Sequence, residues 1–150
     1  MSEGWHLDRQ GVRAMSHRAC WINRLALLAL ALLVGAGCAP DAISFSYGDL
    51  PAGDAARGAA LFDRPVNGAA ACSACHAAGT ERRAGPPLAG YGQIAGARVP
   101  DEDPAVYTFY SIIRPSRYVV RGYSNTMPSD YDKRLSQQQI ADLIAYLLTL

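Results

Sequence analysis

Two thiols and an imidazole fall within five residues, Cys72-Ser73-Ala74-Cys75-His76. The pattern C-x-x-C-H is the one that attaches a c-type haem. Thiols at this spacing can each add to a vinyl group on one edge of a porphyrin. The His that follows at once can then put a ring nitrogen on the iron. Single-electron chemistry at one covalently held haem is the expectation, with Cys72 and Cys75 as attachment points and His76 as an axial ligand.

Other uses of a C-x-x-C pair fit less well. Structural zinc needs four ligands, and beyond Cys72, Cys75 and His76 the chain offers only Cys20, Cys38, His6 and His17. These four lie in or beside an N-terminal export segment, which leaves zinc one ligand short. A thioredoxin-like dithiol belongs beside a βαβ pattern, and no strand-rich alternation surrounds this one. A plain disulfide suits an oxidising compartment, but it gives the adjoining His no task.

The export segment rests on Leu25 to Val34, apolar throughout and preceded by Arg18 and Arg24. A positive n-region, a short apolar h-region and small residues afterwards make a signal. Its core is about half of the ~20 residues that span a bilayer. Val34-Gly35-Ala36-Gly37-Cys38 then looks like a bacterial lipoprotein signal, with Cys38 as the lipidated first residue, although Gly35 stands where a Leu is usual. Glu3 and Asp8 suit an n-region poorly, and a start at Met15 would put Met-Ser-His-Arg before the apolar run. The expected organisation is an export signal over 1–37, a tether over 38–52 and one domain over 53–150.

Cleavage before Cys38 leaves 10 basic and 11 acidic residues, a net charge of −1. No basic block remains, so nucleic-acid binding has no electrostatic footprint. Cleavage also leaves His76 as the one His and Met127 as the one Met. Bis-His ligation within the chain is thereby excluded. Met127, before Pro128 in a polar loop, is the candidate for the second axial position. Imidazole with thioether closes the coordination sphere and raises the potential. That arrangement suits electron transfer and disfavours binding of oxygen or peroxide.

These residues need helices to position them. Asp54 can cap a helix over Ala55 to Phe62, in which Gly58 costs about 1 kcal/mol relative to Ala and needs a packing reason. Gly58 and Phe62 share one face. Asp103 and Pro104 begin a second helix reaching about Arg114, stopped by Pro115. Val106, Phe109, Tyr110 and Ile113 form its apolar face. Ser136 and Gln139 make a capping box, flanked by Leu135 and Ile140 as a hydrophobic staple. Ile140, Leu143, Ile144, Leu147 and Leu148 run along the last helix, with Tyr146 on the flank. No run alternates at period two, so the expected class is all-α.

Taken together, Cys72-x-x-Cys75-His76, Gly85-Pro86-Pro87-Leu88, Met127-Pro128, the Gly58/Phe62 face and the Leu143/Tyr146 pair resemble a class I cytochrome c over Gly53 to Leu150. The resemblance implies N- and C-terminal helices crossing near a Gly and an aromatic pair, around one haem c. It further implies that the Pro86 carbonyl accepts a hydrogen bond from Nδ1 of His76, a contact that fixes the ring and its basicity. The family's Trp beside a propionate has no counterpart after cleavage, since Trp5 and Trp21 are lost. Tyr118 or Arg121 could take its place. Ser111 to Tyr131 is similar to cytochrome domains of respiratory assemblies.

The reading that follows is a lipid-anchored electron carrier on the periplasmic side of a bacterial membrane, serving redox protein partners and not an enzyme by itself. A haem subunit of a larger respiratory oxidoreductase is the alternative. A haem sensor or peroxidase is a third, which would require Met127 to leave the iron.

Overall fold

The computed structural model describes residues 45–150. Regular structure among them is helical: α1 (Ala55–Phe62), α2 (Tyr91–Ile94), α3 (Pro104–Ile113), α4 (Tyr131–Arg134) and α5 (Gln137–Leu147), with single 3-10 turns at Tyr47–Asp49, Cys72–Ala74, Ala95–Ala97 and Pro115–Arg117. Strand-like pairing in the described residues is confined to an isolated bridge between Val66 and Ala69. The fold is all-α. None of these helices is long and apolar enough to cross a membrane. The expected signal over 1–37 and Cys38 lie outside the described residues.

Helix α1 starts because the Asp54 carboxylate accepts the Arg57 amide at 2.9 Å, which satisfies a donor the first turn cannot pair internally. Helix α5 starts at the capping box, where Ser136 Oγ accepts from the Gln139 amide and the Gln139 side chain accepts from the Ser136 amide. The two helices cross at Gly58. A Cβ there would run into the Asp142 backbone carbonyl and lie 2.7 Å from the Tyr146 Cβ. Glycine therefore lets the two backbones approach closely. Phe62 fills the space beside the crossing, edge-on to Tyr146 with ring centroids 5.5 Å apart.

A buried carboxylate, Asp142 at 2% exposure, locks the same crossing. It accepts from the Asp54 amide (2.8 Å), Arg57 Nε (2.8 Å), Arg57 Nη2 (2.9 Å) and Gln138 Nε2 (2.9 Å). The Arg57 guanidinium holds this carboxyl below the ordinary aspartate value, assisted by the two other donors and opposed by burial. Burying a carboxylate is costly unless its lone pairs are met, and here four donors meet them.

Helix α3 begins at Asp103, whose carboxylate accepts the Ala105 and Val106 amides, with Pro104 at the first helical position. It ends at Ile113, one residue before the expected stop. Arg114 leaves the helical region (φ −139°, ψ 63°), because the ring of Pro115 disfavours a helical residue before it. The apolar face is also broader than the stripe expected from spacing. Phe109 and Ile113 are buried, but so are Tyr107, Thr108 and Ile112, whereas Val106 and Tyr110 are half-buried. The helix packs on two sides and so buries more than one face.

One side of α3 meets residues expected to belong to the tether. The rings of Phe45 and Tyr47 stand edge-on to Phe109, at 5.9 and 6.1 Å between centroids. Phe45 and Leu50 pack against the core. Residues 45–52 are thus laid on the domain, and a free tether does not extend through them. Helices α2 and α4, four residues each, are too short to show a period in sequence.

Candidate functional site

The other side of α3 faces a cleft of about 270 Å³, to which all the α-helices except α1's first turns and several loops contribute walls. Cys72, Cys75, His76, Pro86 and Met127 all line it. Five positions scattered over 56 residues of chain are thereby gathered at one opening. Cys38 lies outside the described residues.

Local geometry explains how the C-x-x-C-H residues are presented. The 3-10 turn Cys72–Ala74 is closed by the Cys75 and His76 amides donating to the Cys72 carbonyl, at 3.1 and 2.9 Å. The turn brings both thiols and the imidazole to the same cleft. Cys72 and Cys75 are not joined in a disulfide. Burial pushes the Cys72 thiol up to about 11, opposite to the depressed value a redox-active thiolate needs. No group of three or more His, Cys, Asp or Glu among the described residues could hold a metal ion.

His76 is fixed on two sides. Its Nδ1 lies 2.9 Å from the Pro86 carbonyl oxygen, which as an acceptor assigns the proton to Nδ1 and leaves Nε2 with a free lone pair. Gly85 lies flat against the ring: a Cβ there would overlap Cε1 and come within 2.7 Å of both ring nitrogens. The supporting loop is pinned by the Gly85 amide on the Cys75 carbonyl (2.8 Å) and the Leu88 amide on the Ala77 carbonyl (2.9 Å). The Gly85-Pro86 pair thus supplies a flat wall and then an acceptor.

Most of the remaining walls are apolar or hold uncharged hydroxyls. Phe62, Leu88, Ile112, Leu143 and Leu147 contribute hydrocarbon. Thr108 donates to the Pro104 carbonyl at 2.7 Å, so the 3.0 Å contact between Tyr91 and Thr108 has the Tyr91 hydroxyl as donor. Burial pushes the Tyr91 and Tyr131 hydroxyls up to about 12 and raises Tyr107, so these phenols stay neutral. Tyr131 donates to the Ala70 carbonyl at 3.2 Å.

One charged side chain stands out in this lining. No Asp or Glu lines the cleft, and Arg98 is its one Lys or Arg. The Arg98 Nε is buried without a hydrogen-bond partner, and the positive charge is felt at the hydroxyls of Tyr91 and Tyr107. A flat apolar group carrying carboxylates suits such a cleft, because it would cover the hydrocarbon walls and give the unpaired Arg98 Nε an acceptor. Sequence reasoning did not single out Arg98, since a lone Arg in a loop carries no pattern. Of the two residues it did name for this role, Tyr118 lines the cleft and Arg121 does not.

A family model described as Cytochrome c matches residues 55–150. No curated protein and no solved structure matches the chain.

Proposed function

The chain belongs to the cytochrome c family, and on that premise we propose that it is a lipid-anchored one-electron carrier with His76 and Met127 as axial ligands. As a member of the family it is an electron-transfer protein that binds one covalent haem c and exchanges electrons with redox partners. The haem supplies a one-electron couple. The chain's residues hold it, orient its ligands and exclude water.

The observation that carries the ligand assignment is the gathering of Cys72, Cys75, His76 and Met127 on one mostly apolar cleft, with Nδ1 of His76 committed to the Pro86 carbonyl. That commitment leaves Nε2 available for iron and stiffens the ring. Met127 is half-buried at the same cleft and packs against the core. Arg98 is the partner proposed for a propionate, on the strength of its buried and unpaired Nε. Neutral tyrosines and aliphatic walls keep the surroundings at low dielectric, so little reorganises when the charge changes.

Met127→Ala tests the assignment. Loss of the thioether should lower the potential and let the reduced protein bind carbon monoxide. Ready binding of carbon monoxide by the unmutated reduced protein, with an unchanged spectrum in Met127→Ala, would refute it and favour the sensor or peroxidase reading. Anchoring through Cys38 and a periplasmic location are tested by fractionating a Cys38→Ser variant, which should leave the membrane or remain unprocessed. A second reading, a haem subunit of a respiratory oxidoreductase, is favoured by Tyr118 and Val119, large apolar residues at the cleft that are 37% and 41% exposed. Co-purification of a complex from native membranes distinguishes it.

A further inference from the structure

Residues 118–130 carry Met127 but contain no helix or strand, and none of them is buried. The backbone bonds within this loop are local, Tyr123 amide to Val120 carbonyl at 3.1 Å and Thr126 amide to Ser124 carbonyl at 2.9 Å. Such a segment holds little of its own shape. A ligand on it would occupy its position only as often as the loop does, because ordering each residue's backbone costs about 1–2 kcal/mol.

Arg82 reaches this loop from the one that orients His76. Its Nη2 donates to the Gly122 carbonyl at 2.8 Å, and its guanidinium lies over the Tyr123 ring, 4.3 Å from the centroid. Tyr123 itself lines the cleft, four residues before Met127. Arg82 is in turn followed by Arg83, which donates to the Ser73 carbonyl within the C-x-x-C turn. Gly85 and Pro86 come next, against the His76 ring.

We propose that Arg82 is a positioning residue for the second axial ligand: by bonding Gly122 and covering Tyr123, it straps the Met127 loop to the loop that holds His76. The proposal rests on the His76/Met127 reading. Guanidinium is suited to this task because one planar group donates in its plane and stacks through its face, which an ammonium does less well.

The test uses the purified haem-loaded protein and the rate at which its reduced form binds carbon monoxide. Arg82→Ala should bind roughly tenfold faster than the unmutated protein or more, the scale of one exposed cation–π contact plus one charged hydrogen bond. Tyr123→Leu, which changes no charge and leaves the Gly122 bond in place, should raise the rate by less, roughly two- to fivefold, and the double variant should be no faster than Arg82→Ala. Arg82→Lys, which keeps the charge without the planar fork, should lie between Arg82→Ala and the unmutated protein. Backbone amides over 119–129 should exchange hydrogen faster in Arg82→Ala, while the melting temperature hardly moves.

Slow binding by the unmutated protein, fast binding by Met127→Ala and unmutated behaviour in Arg82→Ala and Arg82→Lys would overturn the strap while leaving the ligand reading intact. Additive effects of Arg82→Ala and Tyr123→Leu would also overturn it. Binding by the unmutated protein as fast as that of Met127→Ala would overturn the ligand reading, and the strap with it.

Discussion

Gly58→Ala sets two physical effects of opposite sign against each other. In an isolated helix the change is favourable by about 1 kcal/mol, because Ala loses less backbone entropy and Gly is a poor helix former. In this protein the added methyl meets the backbone carbonyl of Asp142 and stands 2.7 Å from the Tyr146 Cβ, where ordinary contact begins at 3.4 Å. Neither obstacle can turn aside by changing rotamer, since one is main chain and the other is fixed to it. Helices α1 and α5 must separate, which loosens the Phe62–Tyr146 contact and stretches the bonds that join Asp142 to Asp54 and Arg57. Overpacking of a well-filled contact costs about 1–3 kcal/mol, and an immovable backbone belongs at the upper end. After subtracting the propensity gain, the net loss is about 2 kcal/mol. For a domain of about 100 residues that lowers the melting temperature by roughly 10 °C. Thermal unfolding of the haem-loaded variant, followed by far-ultraviolet circular dichroism, measures this directly. Ala60→Gly on the exposed side of the same helix is the companion, expected to cost up to about 1 kcal/mol through propensity alone. A Gly58→Ala variant as stable as the unmutated protein, or more so, would refute the close-approach argument.

Gly85→Ala should drive a methyl into the His76 ring and displace it from the Pro86 carbonyl, so the yield of haem-loaded protein should fall at least severalfold; an unchanged yield with an unchanged absorption spectrum would show that the ring has room. Asp142 has a carboxyl pKa lowered in the folded state by Arg57 first. Its contribution to stability is therefore full above the unfolded value of about 3.9 and is lost as pH falls through the lower folded value. Acid titration of stability should accordingly be flatter below about pH 4 in Asp142→Asn than in the unmutated protein, and equal slopes would contradict the assignment. Arg98→Leu removes a cation from the cleft and should lower the reduction potential by tens of millivolts, about 59 mV for each 1.4 kcal/mol of lost electrostatic stabilisation of the reduced form. Arg98→Lys should recover part of the drop, and a potential unmoved in both variants would place Arg98 away from the haem.

Features set by neighbours in sequence are legible from residue type and spacing. The C-x-x-C-H turn, the Asp54 and Asp103 caps and the Ser136/Gln139 capping box each lie within a span of five residues, so residue type and spacing suffice. The three principal helices followed from the same local rules, and Pro115 marked the end of α3 to within one residue. Elimination singled out Met127, the one Met that the expected cleavage would leave, and the folded chain puts it on the cleft. Spacing marked the Gly58/Phe62 face as a place where another helix could approach closely, but which helix does so, and the role of Gly85-Pro86, came only through family resemblance, because what each meets is distant in sequence or requires a folded loop.

Tertiary structure alone decided the rest. Asp142 looks like a polar interruption of an apolar helix until Asp54 and Arg57, more than 80 residues earlier, bring donors to it. Arg98 becomes notable only when folding buries its Nε in a cleft without carboxylates. Residues 45–52 read as a linker because glycine and proline conceal that Phe45 and Tyr47 have a ring to pack against at Phe109. The physical reason is the same each time. Caps, turns and helical periods are interactions between residues a few positions apart, whereas burial and unmet hydrogen-bonding capacity depend on which distant segments share a space.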